Sequence, residues 1–329
     1  MAEPLVVAVV GPTAAGKSDL SVALCKRLHG EVVNADAMQV YRGMDVGTAK
    51  IGPAERDGVP HHLLDILDVT ETATVAEFQE LARQAIDDCI DRHTVPVLAG
   101  GSALYVRAIL DDFAFPGTDP AVRERLEAEL GQKGSGAMHD KLKDVDPKAA
   151  EQILPSNGRR IVRALEVIEI TGGPYVATLP EHKYVYPGAV QLGLDVPRPV
   201  LDERIGRRVD RMFENGFVDE VRELLGKGLQ EGKTANRALG YSQVIALLNG
   251  EISEAEARER TAQATRRFAR RQDSWFRKDR RITWLRYDDP DLTAKALEVI
   301  AEGNRRGIAG VVEVEEGPRF NTGAVDARG

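Results

Sequence analysis

The fold is decided by a stretch that reads Leu5-Val-Val-Ala-Val-Val10 and continues directly into Gly11-Pro-Thr-Ala-Ala-Gly-Lys-Ser18. The first six residues are apolar and mostly β-branched, a pattern typical of a strand that is buried on both faces of a parallel sheet. The next eight match Gly-x-x-x-x-Gly-Lys-Ser/Thr, and Asp19–His29 then carries leucine and alanine at helical spacing. The sequence therefore predicts a strand, a phosphate-binding loop and a helix.

Such a loop binds phosphate groups because it gathers several kinds of positive charge at one point. The glycines let several N–H groups point inward, and the helix N-terminus adds a partial positive charge. Lys17 adds a full charge, and the Ser18 hydroxyl can ligate Mg²⁺. The predicted phosphate-binding residues are Gly11, Pro12, Thr13, Ala14, Ala15, Gly16, Lys17 and Ser18. The motif indicates a chain of phosphates without identifying a nucleotide.

Composition narrows the class of protein. The chain has 329 residues and a net charge of −8, which disfavours binding of nucleic acid over its whole surface. Arg258–Arg281 reverses that balance locally with ten Lys/Arg residues and three acids, so this stretch could bind a polyanion. No apolar run approaches the roughly 18 residues that span a membrane, and the first apolar run lacks the basic region of a signal peptide. We expect a cytoplasmic protein with Cys25 and Cys89 as buried thiols.

Two further strand candidates end beside polar residues. Glu31–Ala35 runs into Asp36, and Val95–Ala99 runs through two glycines into Ser102, before a predicted helix from Ala103 to Leu110. Because ligands bind beyond the carboxyl ends of strands in open α/β sheets, we expect both side chains in the crevice of the phosphate loop. Two alternatives stay open, a turn or capping role for the aspartate and simple helix capping for the serine. The third strand lacks the terminal aspartate that binds Mg²⁺ in P-loop nucleotidases, which counts against a plain ATPase.

The adjacent histidines His61 and His62 suggest a metal site at first sight. On an extended segment, neighbouring side chains point to opposite sides, so these two are poor joint ligands. We therefore expect structural roles for both, and the sequence has no Cys/His cluster at zinc-ligand spacing.

From Asp119 the sequence changes from alternating strands and helices to helices alone, and strand character returns only near Gln191. The predicted helices are 121–130, 137–143, 147–153 and 159–170, with a loop at 131–136. We predict an α/β fold, a P-loop NTPase-like parallel sheet flanked by helices, with an all-helical insertion domain. The predicted bounds are 1–118 and 186–305 for the core, 119–185 for the insertion and 306–329 for a disordered tail.

Two helical segments carry arginines at positions that suit contact with phosphate groups. In the first, three cations share about one helical turn: Arg159, Arg160 and Arg163. A solvated helix face and contact with a phosphate backbone are both open for them. In the second, three arginines recur on one helix face: Arg204, Arg208 and Arg211. These could reach the phosphate loop, and ion pairs with neighbouring acids are the alternative.

The longest predicted helix, Ser253–Lys278, is crowded with cations. Pairs such as Arg266 and Arg270 place like charges four residues apart, which destabilises an isolated helix. A polyanionic partner would explain that crowding. We expect Trp275 and Phe276 to belong to the core rather than to stack on bases.

Taken together, the motifs resemble those of the tRNA dimethylallyltransferases, a family of tRNA prenyltransferases. The resemblance rests on Gly11–Ser18, Asp36 with Met38–Lys50, His61–Asp65, Gly100–Tyr105, Arg163–Val167 and Gly240-Tyr241. Each motif alone is weak or moderate, but the ordered set is specific and spans residues from about 5 to 286.

The resemblance implies transfer of a dimethylallyl group from its diphosphate to N6 of the adenosine on the 3′ side of the anticodon in tRNA. It also implies a P-loop core with a helical insertion, Mg²⁺ held by Ser18, and tRNA and dimethylallyl diphosphate as partners. We expect a monomer. The implied catalytic residues are Asp36, Ser102 and Arg208. The implied tRNA-binding residues are Asp36, Ala37, Met38, Gln39, Arg123, Arg159, Arg160, Arg163, Arg237, Gly240 and Tyr241.

Chemistry gives these residues distinct expected roles. Loss of diphosphate from an allylic carbon requires stabilisation of growing negative charge, which suits the loop N–H groups, Lys17, Ser102 and Arg208. The adenine amine is a poor nucleophile because its lone pair is delocalised into the ring. A carboxylate that accepts its proton restores reactivity, and Asp36 suits that role.

The sequence departs from the family pattern at two positions. The family usually has serine where this chain has Ala37, and threonine where it has Ser102, so one hydroxyl is lost and one is kept. The zinc finger of eukaryotic relatives is absent, which indicates a bacterial-type member. A P-loop kinase of a small metabolite or nucleotide and a non-catalytic RNA-binding module stay open as alternatives. A kinase would consume ATP, whereas the transferase would ignore it.

Overall fold

A parallel sheet forms the centre of the α/β core in the computed structural model, which describes residues 3–113, 115–175 and 182–310. The strands are β1 Leu5–Val10, β2 Gly30–Asn34, β3 His61–His62, β4 Val95–Gly100, β5 Gly188–Asp195 and β6 Ile282–Arg286. They pair side by side in parallel, in the order β3-β2-β4-β1-β5-β6. The predicted parallel α/β fold is confirmed.

Helices flank the sheet and build the inserted segment. Their bounds are α1 Lys17–Leu28, α2 Val75–Asp91, α3 Ala103–Leu110, α4 Pro120–Val145, α5 Pro147–Gln152, α6 Gly158–Thr171, α7 Arg198–Glu214, α8 Phe217–Gly226, α9 Tyr241–Leu248, α10 Glu254–Phe276 and α11 Leu292–Gly310. A short 3₁₀ helix spans Ala235–Arg237. The side chains of Thr74 and Ser253 cap α2 and α10 by accepting a backbone N–H from the first helical turn.

The central strand β1 is apolar because it has neighbours on every side. Residues Val6–Val10 are at most 1% exposed. Val7 lies opposite Val97 of β4 and Val190 of β5, so the strand is paired along both edges while helices cover both faces. Burial of one valine side chain contributes about 1.5–3 kcal/mol, so the valines of β1 contribute strongly to the stability of the sheet.

The order of the strands places a ligand crevice at the end of β1. The chain leaves β1 for β2, β3 and β4 on one side and later returns to β5 on the other side. Crevices in open α/β sheets form beyond the carboxyl ends of strands where the order reverses in this way. The segments that follow β1, β2 and β4 are Gly11–Ser18, Ala35-Asp36 and Gly101-Ser102. All three predicted site segments therefore lie at the same edge of the sheet.

The inserted helices differ from the prediction at one point. The loop predicted at 131–136 is wrong, because α4 runs through it with a single kink at Gly134, where φ is 79°. Leu126, Met138 and Leu142 on either side of the kink are at most 1% exposed and share one apolar cluster with α6. That packing outweighs the low helix propensity of the glycines.

The chain divides into two compact units. One unit runs through Asp111 and resumes at Tyr184, and the other spans Asp112–Lys183. The prediction placed the insertion at 119–185. Asp111 and Tyr184 pair as an antiparallel bridge, and next to it the N–H of Val185 donates to the Leu110 carbonyl at 2.8 Å. The chain therefore leaves the first unit and re-enters it at adjacent points.

Two predictions near the C-terminal end are only partly right. Phe276 is 3% exposed, as expected of a core residue, but Trp275 is 45% exposed, so its predicted core role is wrong. Helix α11 continues to Gly310, past Arg305, where the predicted pattern ended. The rest of the predicted tail, 311–329, lies outside the described residues.

The histidine pair lies on the edge strand β3, and His62 belongs to an ion-pair cluster near the start of β2. The Nε2 of His62 lies 2.6 Å from Glu31 Oε2, and Arg92 donates to both oxygens of the same carboxylate at 2.7 Å. The arginine hydrogen bonds hold the pKa of Glu31 at about 2. Cys89 packs against this group, and burial raises the pKa of its thiol to about 11. A guanidinium thus neutralises the carboxylate, in agreement with the predicted structural role of His62.

Candidate active site

The phosphate loop joins β1 to α1 in a left-handed curl. Gly11 and Gly16 have φ values of 139° and 103°, a region that glycine occupies without strain, and Ala14 enters it as well with φ 64°. The first N–H groups of a helix have no partner one turn back, and in α1 these include Lys17 and Ser18. The predicted strand, loop and helix are confirmed, and the backbone has the form of an anion site.

Lys17 lies within the curl of this loop. Its Nζ donates to the Pro12 carbonyl at 2.8 Å. Burial lowers the pKa of Lys17 to about 8, while the Asp36 carboxylate raises it and the Arg208 guanidinium lowers it. These charges therefore act on one another across the crevice. A bound diphosphate would raise the pKa again, because it stabilises the charged amine.

Asp36 is held in a turn by one of its two carboxylate oxygens. Oδ1 accepts the N–H of Met38 at 3.0 Å, and the N–H of Asp36 donates to Asn34 Oδ1 at 2.9 Å. Among the described residues, Oδ2 has no hydrogen-bond partner. The turn role that the sequence left open is therefore present, but it occupies only half of the carboxylate.

Ser102 stands at the N-cap of α3, yet its side chain makes no capping hydrogen bond. The alternative of a purely capping serine is not supported. The preceding glycines bring β4 very close to its neighbour, since a Cβ on Gly100 would lie 2.4 Å from the Ala35 carbonyl oxygen. The N–H of Ala35 donates to the Ala99 carbonyl at 2.8 Å. The ends of β2 and β4 are thus hydrogen-bonded and closely packed, just before Asp36 and Ser102.

Two arginines of α7 reach the segments around the phosphate loop. Arg208 donates through Nη2 to the Thr48 carbonyl at 3.1 Å, and burial lowers its pKa. The Nη2 of Arg204 lies 3.7 Å from the point where a Cβ of Gly16 would stand. Neither side chain forms an ion pair with a described acid, so the ion-pair alternative is wrong for both. Arg211, on the same helix face, is exposed.

Glu220 of α8 supports the loop that carries Thr48. Its carboxylate accepts the N–H groups of Asp45–Gly47 at 2.6–3.0 Å and the hydroxyl of Tyr241 at 2.7 Å. A Cβ on Gly47 would lie 2.2 Å from Phe217, so only glycine fits there. Glu220 could not be predicted from the sequence, because the three backbone N–H groups that it binds lie more than 170 residues away along the chain.

The predicted RNA-binding residues of the first unit differ in accessibility. Ala37–Gln39 are half-buried and directly follow Asp36, while Arg237 is exposed. Tyr241 is fully buried, with Gly240 beside it, and its hydroxyl is bonded to a carboxylate. An RNA contact through the Tyr241 side chain is therefore not supported, and this side chain instead holds the loop before Thr48.

Helix α10 presents cations that are available to a polyanion. Arg258 and Arg260 each pair with a glutamate one turn earlier on the same helix. Arg267, Arg270 and Arg271 are exposed and form no ion pair with any acid in the described part of the chain. Like charges at this spacing repel one another, so an anionic partner would relieve the repulsion.

The predicted RNA-binding residues of the inserted unit fall into two groups. Arg159 and Arg160 are exposed at the start of α6. Arg123 and Arg163 both bind the fully buried carboxylate of Glu166, and Arg163 also donates to backbone carbonyls of the same unit. The second pair therefore has an internal structural role, and the first pair is exposed, which leaves both of its predicted alternatives open.

Comparison with known proteins identifies the family. Residues 39–279 match the sequence model described as IPP transferase. The chain belongs to the IPP transferase family. This IPP transferase is 63% identical over 302 residues to the tRNA dimethylallyltransferase of Thermobifida fusca, covering 90% of its own chain and 94% of that relative. It is 63% identical over 296 residues to the tRNA dimethylallyltransferase of Nocardioides sp., covering 90% and 96%.

Solved structures of similar proteins agree with the fold. This IPP transferase shares 41% identity and a TM-score of 0.69 with the full-length tRNA isopentenylpyrophosphate transferase of Bacillus halodurans, covering 94% of its own chain and 100% of that one. A eukaryotic dimethylallyltransferase acting on tRNA shares 25% identity and a TM-score of 0.75, covering 90% and 78%. The family resemblance inferred from the motifs is confirmed. Among the described helices of this IPP transferase, none is long and apolar enough to cross a membrane.

Proposed function

We propose that this IPP transferase moves a dimethylallyl group from dimethylallyl diphosphate to N6 of the adenosine on the 3′ side of the anticodon in tRNA. The observation that carries the proposal is the meeting of a phosphate loop, a half-buried arginine and a half-free carboxylate at one edge of the sheet. The phosphate loop suits a diphosphate, and the carboxylate suits a nucleophile that must lose a proton. The names of the relatives supply the group transferred and the class of acceptor.

Stabilisation of the leaving group is the first task of the site. When the allylic C–O bond breaks, negative charge grows on the diphosphate oxygens, and Lys17 and Arg208 supply positive charge beside the loop N–H groups. The Ser102 hydroxyl, which caps nothing, adds a donor. The Ser18 hydroxyl is exposed and has no hydrogen-bond partner among the described residues, so it fits as a Mg²⁺ ligand. When bound there, Mg²⁺ would neutralise part of the diphosphate charge.

Activation of the acceptor is the second task. The new bond joins N6 of adenine to the allylic carbon, the bond to the diphosphate oxygen breaks, and one proton leaves N6. Oδ2 of Asp36 is the acceptor for that proton, because Oδ1 is occupied by the N–H of Met38. Positioned proton transfer of this kind contributes about 10²–10⁴-fold to a rate.

The acceptor base must leave the stacked anticodon loop to reach a carboxylate in a crevice. The exposed arginines of α10, Arg267, Arg270 and Arg271, are proposed to hold the RNA backbone while this happens. Their helix also carries Gln272, which contacts the phosphate loop, so RNA bound on α10 lies close to the site. Arg237, Arg159 and Arg160 are proposed as further RNA contacts.

We also propose that the enzyme acts as a cytoplasmic monomer. The residues assigned to diphosphate and to the acceptor amine all come from one chain, and they belong to one compact unit. A second copy is therefore not needed to complete the site. Size-exclusion chromatography with light scattering would give the mass of one 35.9 kDa chain if this is right.

The experiment that tests the function also separates it from a P-loop kinase. Purified protein is incubated with Mg²⁺, unmodified tRNA and radiolabelled dimethylallyl diphosphate, with and without ATP, and the nucleosides are analysed by mass. We expect N6-dimethylallyladenosine in both incubations. The matched control is the same tRNA with guanosine in place of the acceptor adenosine, which should take up no label. Absence of prenyl transfer together with ATP-dependent phosphorylation of an acceptor would show that the protein is a kinase and that the phosphate loop binds ATP.

A further inference from the structure

Gln272 of α10 joins two loops of the site through a single side-chain amide. Its Oε1 accepts the N–H of Thr13 at 2.9 Å, and its Nε2 donates to the carbonyl of Gly101 at 2.8 Å. The residue is 5% exposed, so water does not compete freely for either bond. Thr13 belongs to the phosphate loop after β1, and Gly101 belongs to the turn after β4.

The contact on the β4 side is unusually close. A Cβ on Gly101 would lie 2.4 Å from Nε2 of Gln272 and 3.3 Å from the carbonyl oxygen of Gly11. The glycine therefore lets the amide approach the backbone, and it also lets the two turns pack against each other. Ser102, whose hydroxyl is assigned to the diphosphate, is the next residue in the chain.

We propose that Gln272 is a positioning residue that sets the distance between the phosphate loop and the Ser102 hydroxyl, an assignment that rests on the proposed transferase function. The two loops come from different strands, and each carries donors for the same diphosphate. An error of about 1 Å in the placement of reacting groups can cost about 100-fold in rate. A single buried amide with one bond to each loop reduces that error, and it does so without touching the substrate.

The test compares Gln272→Met with Gln79→Met in the full-length protein. Methionine keeps the volume of the side chain and removes both hydrogen bonds. Gln79 is the matched control, because it is a buried glutamine (8% exposed) on α2 that donates to the Ala108 carbonyl away from the phosphate loop. For each variant we would measure kcat and KM for prenyl transfer, the Kd for tRNA, the Kd for inorganic diphosphate with Mg²⁺, and the Tm.

For Gln272→Met we expect a fall in kcat of about 10–100-fold, weaker binding of inorganic diphosphate, and a Kd for tRNA within about twofold of the wild type. The Tm of the two variants should be similar. Equal kcat in the two variants would overturn the proposal, and so would a loss that appears only in the Kd for tRNA, since that would make Gln272 an RNA contact. If the wild type itself transfers no prenyl group, the function fails, and diphosphate binding still tests the positioning.

Gln272→Glu provides a second readout, the pH dependence of its rate relative to the wild type. This ratio would not change with pH if the side chain only filled space. The carboxylate still accepts the N–H of Thr13, but its second oxygen faces the Gly101 carbonyl without a proton to share. Protonation restores a donor at that position, so the rate of this variant relative to the wild type should rise as the pH falls. The same ratio for Gln272→Met should stay flat. A flat ratio for Gln272→Glu would overturn the assignment of the donor bond to Gly101.

Discussion

Replacement of Asp36 by asparagine removes the group that is proposed to accept a proton, and it leaves the turn around this residue in place. In the native protein the N–H of Met38 donates to Oδ1 of Asp36 at 3.0 Å. The Oδ1 of an asparagine can accept the same hydrogen bond. The other carboxylate oxygen, which has no hydrogen-bond partner among the described residues, becomes an NH₂ group that donates and cannot accept a proton. The turn survives and the proposed base does not.

The size of the effect can be estimated because the substitution removes the proposed base and keeps the turn. Loss of a positioned general base costs about 10²–10⁴-fold, which corresponds to about 3–5 kcal/mol of activation free energy. The free energy of unfolding should change by less than about 1 kcal/mol, because the hydrogen bond to Met38 is kept. Asp36→Ala would lose both functions and is therefore the less informative variant.

The assay is single-turnover prenyl transfer at saturating tRNA and dimethylallyl diphosphate, so that binding does not enter the rate. Asp45→Asn is the matched control, since Asp45 lies in the following loop and is exposed, and Lys50 at 2.7 Å is the one described residue with which its side chain pairs. We expect near wild-type transfer from it. A loss below tenfold in Asp36→Asn, with both affinities unchanged, would remove Asp36 from the mechanism.

Three further predictions concern binding and stability. Because burial lowers the pKa of Lys17 to about 8, its positive charge fades as the pH rises through that value, and diphosphate binding near pH 8.5 should take up a proton. Calorimetry in buffers of different ionisation enthalpy measures this uptake, and identical enthalpies would contradict it. Joint replacement of Arg267, Arg270 and Arg271 by glutamine should make the plot of log binding constant for tRNA against log salt concentration less steep, by about 2 in slope. An unchanged slope would place the RNA elsewhere. Glu220→Ala should destabilise the protein by about 2–4 kcal/mol in chemical denaturation, because four donors lose their acceptor; a change below 0.5 kcal/mol would show that water replaces it.

Much of the site could be predicted because its signals are local. Gly11–Ser18 is a contiguous motif between an apolar strand and a helix, and Asp36 and Ser102 stand directly after strands whose ends meet at one edge of a parallel sheet. In these cases, chain connectivity alone brings the residues together. The helical character of the insertion was equally local, since it depends on apolar spacing within single helices.

The supporting residues could not be predicted, because their partners are far away in sequence. Gln272 bonds to Thr13 across 259 positions, and Glu220 bonds to Gly47 across 173. A glutamine or a glutamate on an amphipathic helix has no local feature that distinguishes it from its solvated neighbours. The buried position of Tyr241 was missed for the same reason, since its burial comes from tertiary packing that includes the ring of Phe217.

The bridge between Asp111 and Tyr184 has a consequence for how such a protein can change over evolutionary time. A segment whose two ends are already joined by backbone hydrogen bonds can be shortened, exchanged or lost by one event in the gene, since a tight turn is enough to close the gap. Asp111 is fully buried and bound by Arg281, so one end of this junction is held by contacts that do not involve the inserted helices. Because Lys17, Asp36, Ser102 and Arg208 all lie in the first unit, the inserted helices can change in length or sequence without replacing any of these residues.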